Sequence, residues 1–310
     1  MTAAFCAFWP LYITYAGFFT SETPALAFGT AALWLGYRAR RARGRAAAAL
    51  GVLAGVLGGT AVANRPQLLL NLAVLALPGL RVWRRQAPAL VGLTVGLTLM
   101  LSGVVLHNSV ATGKPTGLSE NSALNFWMGH CDVAEVRTND PSQNASFTFG
   151  LPTPGQLRRG GSYTFEGKVV WDQGFFFGLG VGCILEDGVG HVRILARSVL
   201  DMTATTVPWP QVGDKPLPRG VVTWSNVAYC LLLPWMVIES VFLIRRRGLG
   251  SGEAVMLAHL GCAVVVAVLF FGDPRLRSSY DVFGFALLAA LVADRFGLDG
   301  VADRPAPESG

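Results

Sequence analysis

Apolar residues in this chain come in long runs, separated by short polar or arginine-rich breaks. A helix needs about 20 apolar residues to cross a bilayer core, within a range of roughly 17–25. Residues 3–20, 46–63, 87–106, 221–244 and 254–271 approach or meet that length, while residues 23–37, 67–80 and 282–293 are shorter apolar stretches. The pattern predicts an all-α polytopic membrane protein with about eight transmembrane helices. The short stretches are expected to be tilted, broken or paired as re-entrant units.

Three breaks carry arginine clusters: Arg38, Arg40, Arg41, Arg43 and Arg45; Arg81, Arg84 and Arg85; and Arg245, Arg246 and Arg247. The positive-inside rule assigns all three to the cytoplasm. With eight spans, both termini fall on that side too. Residues 107–220 then form one long extracytoplasmic loop, expected to carry helices. Its apolar run at 174–185 (GFFFGLGVGCIL) is short and glycine-rich, so it reads as a packed or interface-lying helix. A crossing there would put Arg245–Arg247 outside. The expected division is a membrane domain at 1–106 with about five spans, the loop region at 107–220, a membrane domain at 221–295 with about three spans, and a cytoplasmic tail at 296–310. The tail ends in DRPAPESG and reads as disordered. The first segment lacks the basic stretch of a signal peptide and is expected to remain as a span.

Composition agrees. Charged residues are 14% of the 310, against about 25% in an ordinary soluble domain. This excludes disorder, coiled coil and a soluble basic nucleic-acid-binding domain. The net charge of +6 sits largely in the arginine clusters, where it is an orientation signal. Cys131 and Cys183 lie in the loop. They read equally as a disulfide in an oxidising compartment or as two small apolar residues. Gly113-Lys114-Pro115 lacks the rest of a phosphate loop, and Gly178-Leu179-Gly180-Val181-Gly182 lacks the strand–turn–helix setting of a dinucleotide site. His130-Cys131-Asp132 is one tripeptide, not a metal-ligand set.

The better signals are ionisable residues at span ends opposite the arginine clusters, where charge near lipid is costly. Glu22 lies between two apolar runs, and reads either as a functional acid or as a turn acid favoured by a helix N-terminus. Arg65 precedes Pro66 on the face where the charge rule disfavours arginine. It suits a phosphate, or snorkels to a headgroup. Arg275 and Arg277 lie in a polar segment that ends at Tyr280, expected on the same face. Together they would make an anion site with one carboxylate, which is equipment for a phosphate-linked substrate.

Five stretches resemble the C-type integral membrane glycosyltransferases, in the branch of family 39 related to protein O-mannosyltransferases and aminoarabinose transferases. They are residues 9–22 (WPLYITYAGFFTSE), the glycine-rich 55–63 followed by Asn64-Arg65-Pro66, 118–129 (LSENSALNFWMG), the helical pair within 163–203, and Asp273-Pro274-Arg275-Leu276-Arg277. The resemblance runs in the family's order from about Trp9 to Asp294. It implies an enzyme that transfers a sugar from a polyprenyl-phosphate carrier to a lipid, glycan or protein on the extracytoplasmic face of a bacterial plasma membrane. On it, Glu22 matches the family's second outer acid. Arg65, Arg275 and Arg277 are expected at the phosphate, with Asn121, Asn125 and Tyr280 at the substrate and a divalent metal left open as cofactor. The donor lipid and membrane lipid are the expected partners, with no nucleic acid and no expectation of oligomeric state. The family's principal catalytic aspartate lies in an earlier loop that has no counterpart here, so the chain is expected to lack N-terminal spans. A catalytically inactive remnant or binding protein, and then a transporter hinted at by the short stretches 23–37 and 67–80, are the competing readings, although His259 and Glu239, the main ionisable residues within spans, suit a bundle interior equally.

Overall fold

The computed structural model describes residues 2–17, 21–76, 83–119, 122–131, 135–140, 145–149, 162–166, 172–186, 188–203, 219–248 and 251–296. The helices are α1 (Thr2–Phe8), α2 (Pro10–Gly17), α3 (Glu22–Arg41), α4 (Gly44–Asn64), α5 (Leu69–Ala76), α6 (Trp83–Thr112), α7 (Ser122–His130), α8 (Gln173–Glu186), α9 (Gly188–Asp201), α10 (Arg219–Arg247), α11 (Gly252–Leu269) and α12 (Pro274–Arg295). Strands β1 (Glu135–Asp140), β2 (Ala145–Phe149) and β3 (Ser162–Glu166) lie between α7 and α8. β1 is central, antiparallel to β2 (Val136 opposite Phe149) and parallel to β3 (Val136 opposite Tyr163). This small sheet between α7 and α8 is an addition to the expected helices.

Five helices are long and apolar enough to cross a membrane: α4, residues 85–112 of α6, residues 220–247 of α10, α11 and α12. The protein is therefore a helical membrane protein. The bent pair α8 and α9, which meet at 115°, would make a sixth crossing if it forms one broken span. The other expected spans take different forms for local reasons. Residues 3–20 are divided at Trp9-Pro10, where proline lacks the amide hydrogen that a continuous helix needs. α3 is 20 residues long, but Glu22 opens it and Arg38, Arg40 and Arg41 close it. Residues 67–80 yield a 3-10 turn at Pro66–Leu68 and then the short α5. The 282–293 stretch gains the length it lacked, because α12 starts at Pro274 and buries its polar first turns.

α4 and α6 are packed most closely. A Cβ on Gly51 or Gly55 would strike the α6 backbone at Ala89 and Leu93, and one on Gly92 or Gly96 would strike the α4 backbone at Ala48 and Val52. These are glycines four apart on both helices, the small-residue pattern that lets membrane helices touch backbone to backbone. The register rises together along both, so α4 and α6 run parallel. Arg40 Nε donates to Gln86 Oε1 at 2.9 Å, joining the first two arginine clusters. In the third, Arg247 is ion-paired to Glu253 and Asp294, which ties the end of α10 to the start of α11 and the end of α12. Tyr37 Oη lies 2.9 Å from His259 Nε2, near the end of α3 and the start of α11. The three clusters therefore share one face of the bundle. α7 and α9 pack over the far end of α11, so the loop helices cover the opposite face, where Glu22, Arg65 and Arg275 also lie.

Candidate functional site

α3 opens on Glu22, in the first turn, where the helix dipole favours a carboxylate. Arg65 sits in extended backbone between α4 and the turn begun by Pro66. Arg275 is the second residue of α12, held by the N-cap Asp273, whose Oδ1 accepts the Arg275 amide hydrogen at 2.6 Å. Pro274 fits the first helical position because that amide would have no intrahelical partner. These three helix ends bring Arg65 Nη2 and Arg275 Nε onto the same oxygen, Glu22 Oε1. The Glu22 side chain is 5% exposed, Arg65 13% and Arg275 31%, so the triad is sealed on one side and reached past Arg275.

Glu22 Oε2 is buried without a hydrogen-bond partner among the described residues, as is Ser279 Oγ. Both residues line a cavity of ≈ 240 Å³ closed by Tyr12, Ile13, Leu26 and Ser278. Tyr12 Oη donates to the Ser278 carbonyl at 2.9 Å, which ties α2 to the first turns of α12. Burial pushes the Asp273 carboxyl up to about 6, although the Arg275 amide and the guanidiniums of Arg275, Arg65 and Arg277 pull the other way. When Asp273 is neutral, two guanidiniums face one carboxylate, and the cluster is net positive. Such a site suits a phosphate, which takes the planar fork of arginine in two parallel hydrogen bonds. It is poorly suited to a metal ion, because both cations would repel it. Among the described residues no group of three or more His, Cys, Asp or Glu could hold one.

Arg277 is placed elsewhere, against expectation. Its Nε donates to Asp281 Oδ1 at 2.9 Å, Nη1 to the Met202 carbonyl at 2.9 Å and Nη2 to Asn226 Oδ1 at 2.5 Å. The guanidinium also stacks 4.9 Å above the Tyr229 ring. A donor set so occupied inside the bundle leaves nothing for a substrate phosphate. Tyr280 is likewise buried, its hydroxyl donating to the Gln67 carbonyl at 3.1 Å, where it pins α12 to the turn before α5. Asn125 is half-buried on α7, with no hydrogen bond to the triad among the described residues. Asn121 lies outside the described residues, as does the tail. Cys131 and Cys183 form a disulfide that joins α7 to α8 and removes Cys131 as a thiolate ligand.

His259 is fully buried. Its Nδ1 lies 3.1 Å from Asn71 Oδ1 and its Nε2 meets Tyr37, so both ring nitrogens are satisfied within the bundle. Glu239 is exposed on the outer surface of α10, not turned inward. Sequence reasoning missed Asp273 and Ser279 as site residues. The Asp-Pro pair at 273–274 is the signal that marks the first, since Asp caps and Pro starts helices. Ser279 leaves no such trace. No family model matches the chain, and searches of characterised proteins and of solved structures find no match.

Proposed function

We propose that the protein is a membrane glycosyltransferase, or part of one, that takes a sugar from a polyprenyl-phosphate donor at the extracytoplasmic face of a bacterial plasma membrane, with its termini in the cytoplasm. The acceptor is a lipid, glycan or protein. The observation that carries this reading is the convergence of Glu22, Arg65 and Arg275 from three distant parts of the chain, which sets two guanidiniums on one buried carboxylate. It sits on the face that also carries the loop helices and the disulfide, a bond of oxidising compartments. Arg65 and Arg275 bind the donor phosphate and stabilise the charge it gains as the sugar leaves. Glu22 Oε1 orients both guanidiniums, and the residue lines the cavity together with Thr23, Ser278 and Ser279, where a substrate hydroxyl would enter. An apolar cavity of ≈ 500 Å³ between Phe126, Phe177, Leu269 and Phe270 offers room for isoprenoid units on the same face.

The test is sugar transfer by the full chain in proteoliposomes, from a panel of polyprenyl-phosphate sugars. Turnover abolished by Arg65→Ala with Arg275→Ala supports the reading, and turnover unchanged by the pair refutes it. A second reading, a membrane protein that holds the same phosphate without turnover, draws on the engagement of Glu22 Oε1 by two arginines. It predicts saturable donor binding with no product in the same vesicles.

A further inference from the structure

Outside the triad, α7 and α9 are fastened to the bundle by a pair of buried histidines. His130, at the end of α7, places Nε2 3.1 Å from the Leu269 carbonyl at the end of α11, and Nδ1 3.3 Å from Nε2 of His191 on α9. The His130 ring packs on Phe126, with centroids 4.1 Å apart, and both histidines are buried. A carbonyl can only accept, so His130 Nε2 carries the hydrogen and Nδ1 is a lone pair. His191 Nε2–H donates to it, which leaves His191 Nδ1 as a buried acceptor without a partner among the described residues. One hydrogen bond thus joins α7 to α11 and another joins α7 to α9. The neighbouring Gly129 sits so close to the Phe270 carbonyl that no side chain fits there.

We infer that the His130–His191 pair is a proton-sensitive clasp that holds α7 and α9 on the end of α11 at neutral pH and releases them in acid. A first added proton still leaves a single hydrogen between the two facing nitrogens, so their bond persists. A second makes both of them donors, so the hydrogen bond is replaced by two like charges in a buried contact. Among the described residues no carboxylate pairs with either ring. α7 carries no other described ionisable group, and α8 presents the disulfide, with Glu186 exposed at its far end. α9 adds Arg193, exposed, and Arg197, half-buried, while its Asp201 lies ten residues beyond His191. α11 faces the pair with backbone carbonyls, and Asp273 follows it.

Burial, opposed by the Leu269 carbonyl and reinforced by His191, holds His130 below the ordinary histidine value. The contribution of the clasp is therefore present at neutral pH and is lost as pH falls below about 6.5. Asp273, whose value is raised, responds in the opposite sense. Release would reach the candidate site, because Gly272 packs on the Ser198 carbonyl of α9 and Arg277 holds the Met202 carbonyl just beyond it.

Hydrogen–deuterium exchange of the full chain in lipid nanodiscs, corrected for intrinsic rates, tests this between pH 7.5 and 5. Amides of α7 and α9 should lose protection by about tenfold per pH unit for each proton taken up, while α4 and α6 keep theirs. The His130→Gln/His191→Gln variant should be flat across that range. A wild-type protein whose α7 and α9 protection does not change overturns the clasp, and so does a double variant with the wild-type slope. Should the variant lose protection in α4 and α6 as well, ring NMR of the wild-type histidines decides. Both rings titrating together with loss of α7 protection supports the clasp, and titration with no change in protection overturns it.

Discussion

Arg275 and Arg277 leave α12 two residues apart and reach opposite kinds of surroundings. The Arg275 side chain is 31% exposed at the rim of a cavity-facing cluster, whereas Arg277 is 3% exposed and locked onto Asp281. Residues two apart on a helix point roughly 200° away from each other, because each residue turns it by about 100°. One arginine is therefore partly exposed beside Glu22 and the other becomes part of the packing. Arg275 shares Glu22 with a second arginine, beside a cavity that Glu22 lines. A structural cation has every donor assigned, here to a carboxylate, an amide oxygen and a carbonyl from three different segments.

Breaking the structural side should cost most. Arg277→Ala leaves Asp281 buried without its cation, and the loss should be about 3–5 kcal/mol of stability, the usual cost of uncovering one partner of a buried pair. Unfolding in detergent checks this, and replacing both partners by Met and Leu should restore part of the loss. Next in size is Arg275→Ala. It should lower sugar transfer by about 10²–10³ with little change in unfolding, the loss typical when one stabilising donor is removed from developing charge. Equal damage to folding by the two alanine variants would erase the distinction between the arginines.

A smaller effect belongs to Asp273. Its folded value, about 6, exceeds the ordinary 3.8, so its carboxyl favours the fold when protonated. That contribution is present below about pH 4 and is lost as pH rises to about 6. Asp273→Asn keeps an acceptor for the Arg275 amide and should remove this pH slope, read as unfolding midpoints between pH 4 and 7. Smallest is Glu22→Gln, which takes one negative charge from the cluster. Binding of an isoprenoid phosphate, followed by fluorescence competition, should tighten by about tenfold while turnover falls. Weaker binding would mean that Glu22 orients the arginines more than it competes with the phosphate.

Much of this was legible beforehand. The apolar runs announced membrane helices, and the arginine clusters announced which helix ends belong together, as the Arg40–Gln86 and Arg247–Asp294 contacts bear out. Glu22, Arg65 and Arg275 stood out because charge is sparse on the other side. Residues 3–20 read as one span, and the break at Pro10 was not foreseen although proline is its local cause. The roles of Arg277 and Tyr280 were not legible, because they depend on which face of α12 meets α10 and the turn before α5.

What the sequence determined by itself is the solvent, the five long apolar helices and the clustering of arginine at helix ends, because hydropathy and arginine placement act locally along the chain. The tertiary structure alone decided which of the sparse polar groups meet. Glu22 and Arg275 are 253 positions apart, and Cys131 and Cys183 are 52 apart, and no local pattern couples residues over such distances. Backbone contact between the glycine faces of α4 and α6 fixes how two of these helices stand together, and the helix ends then place the charges.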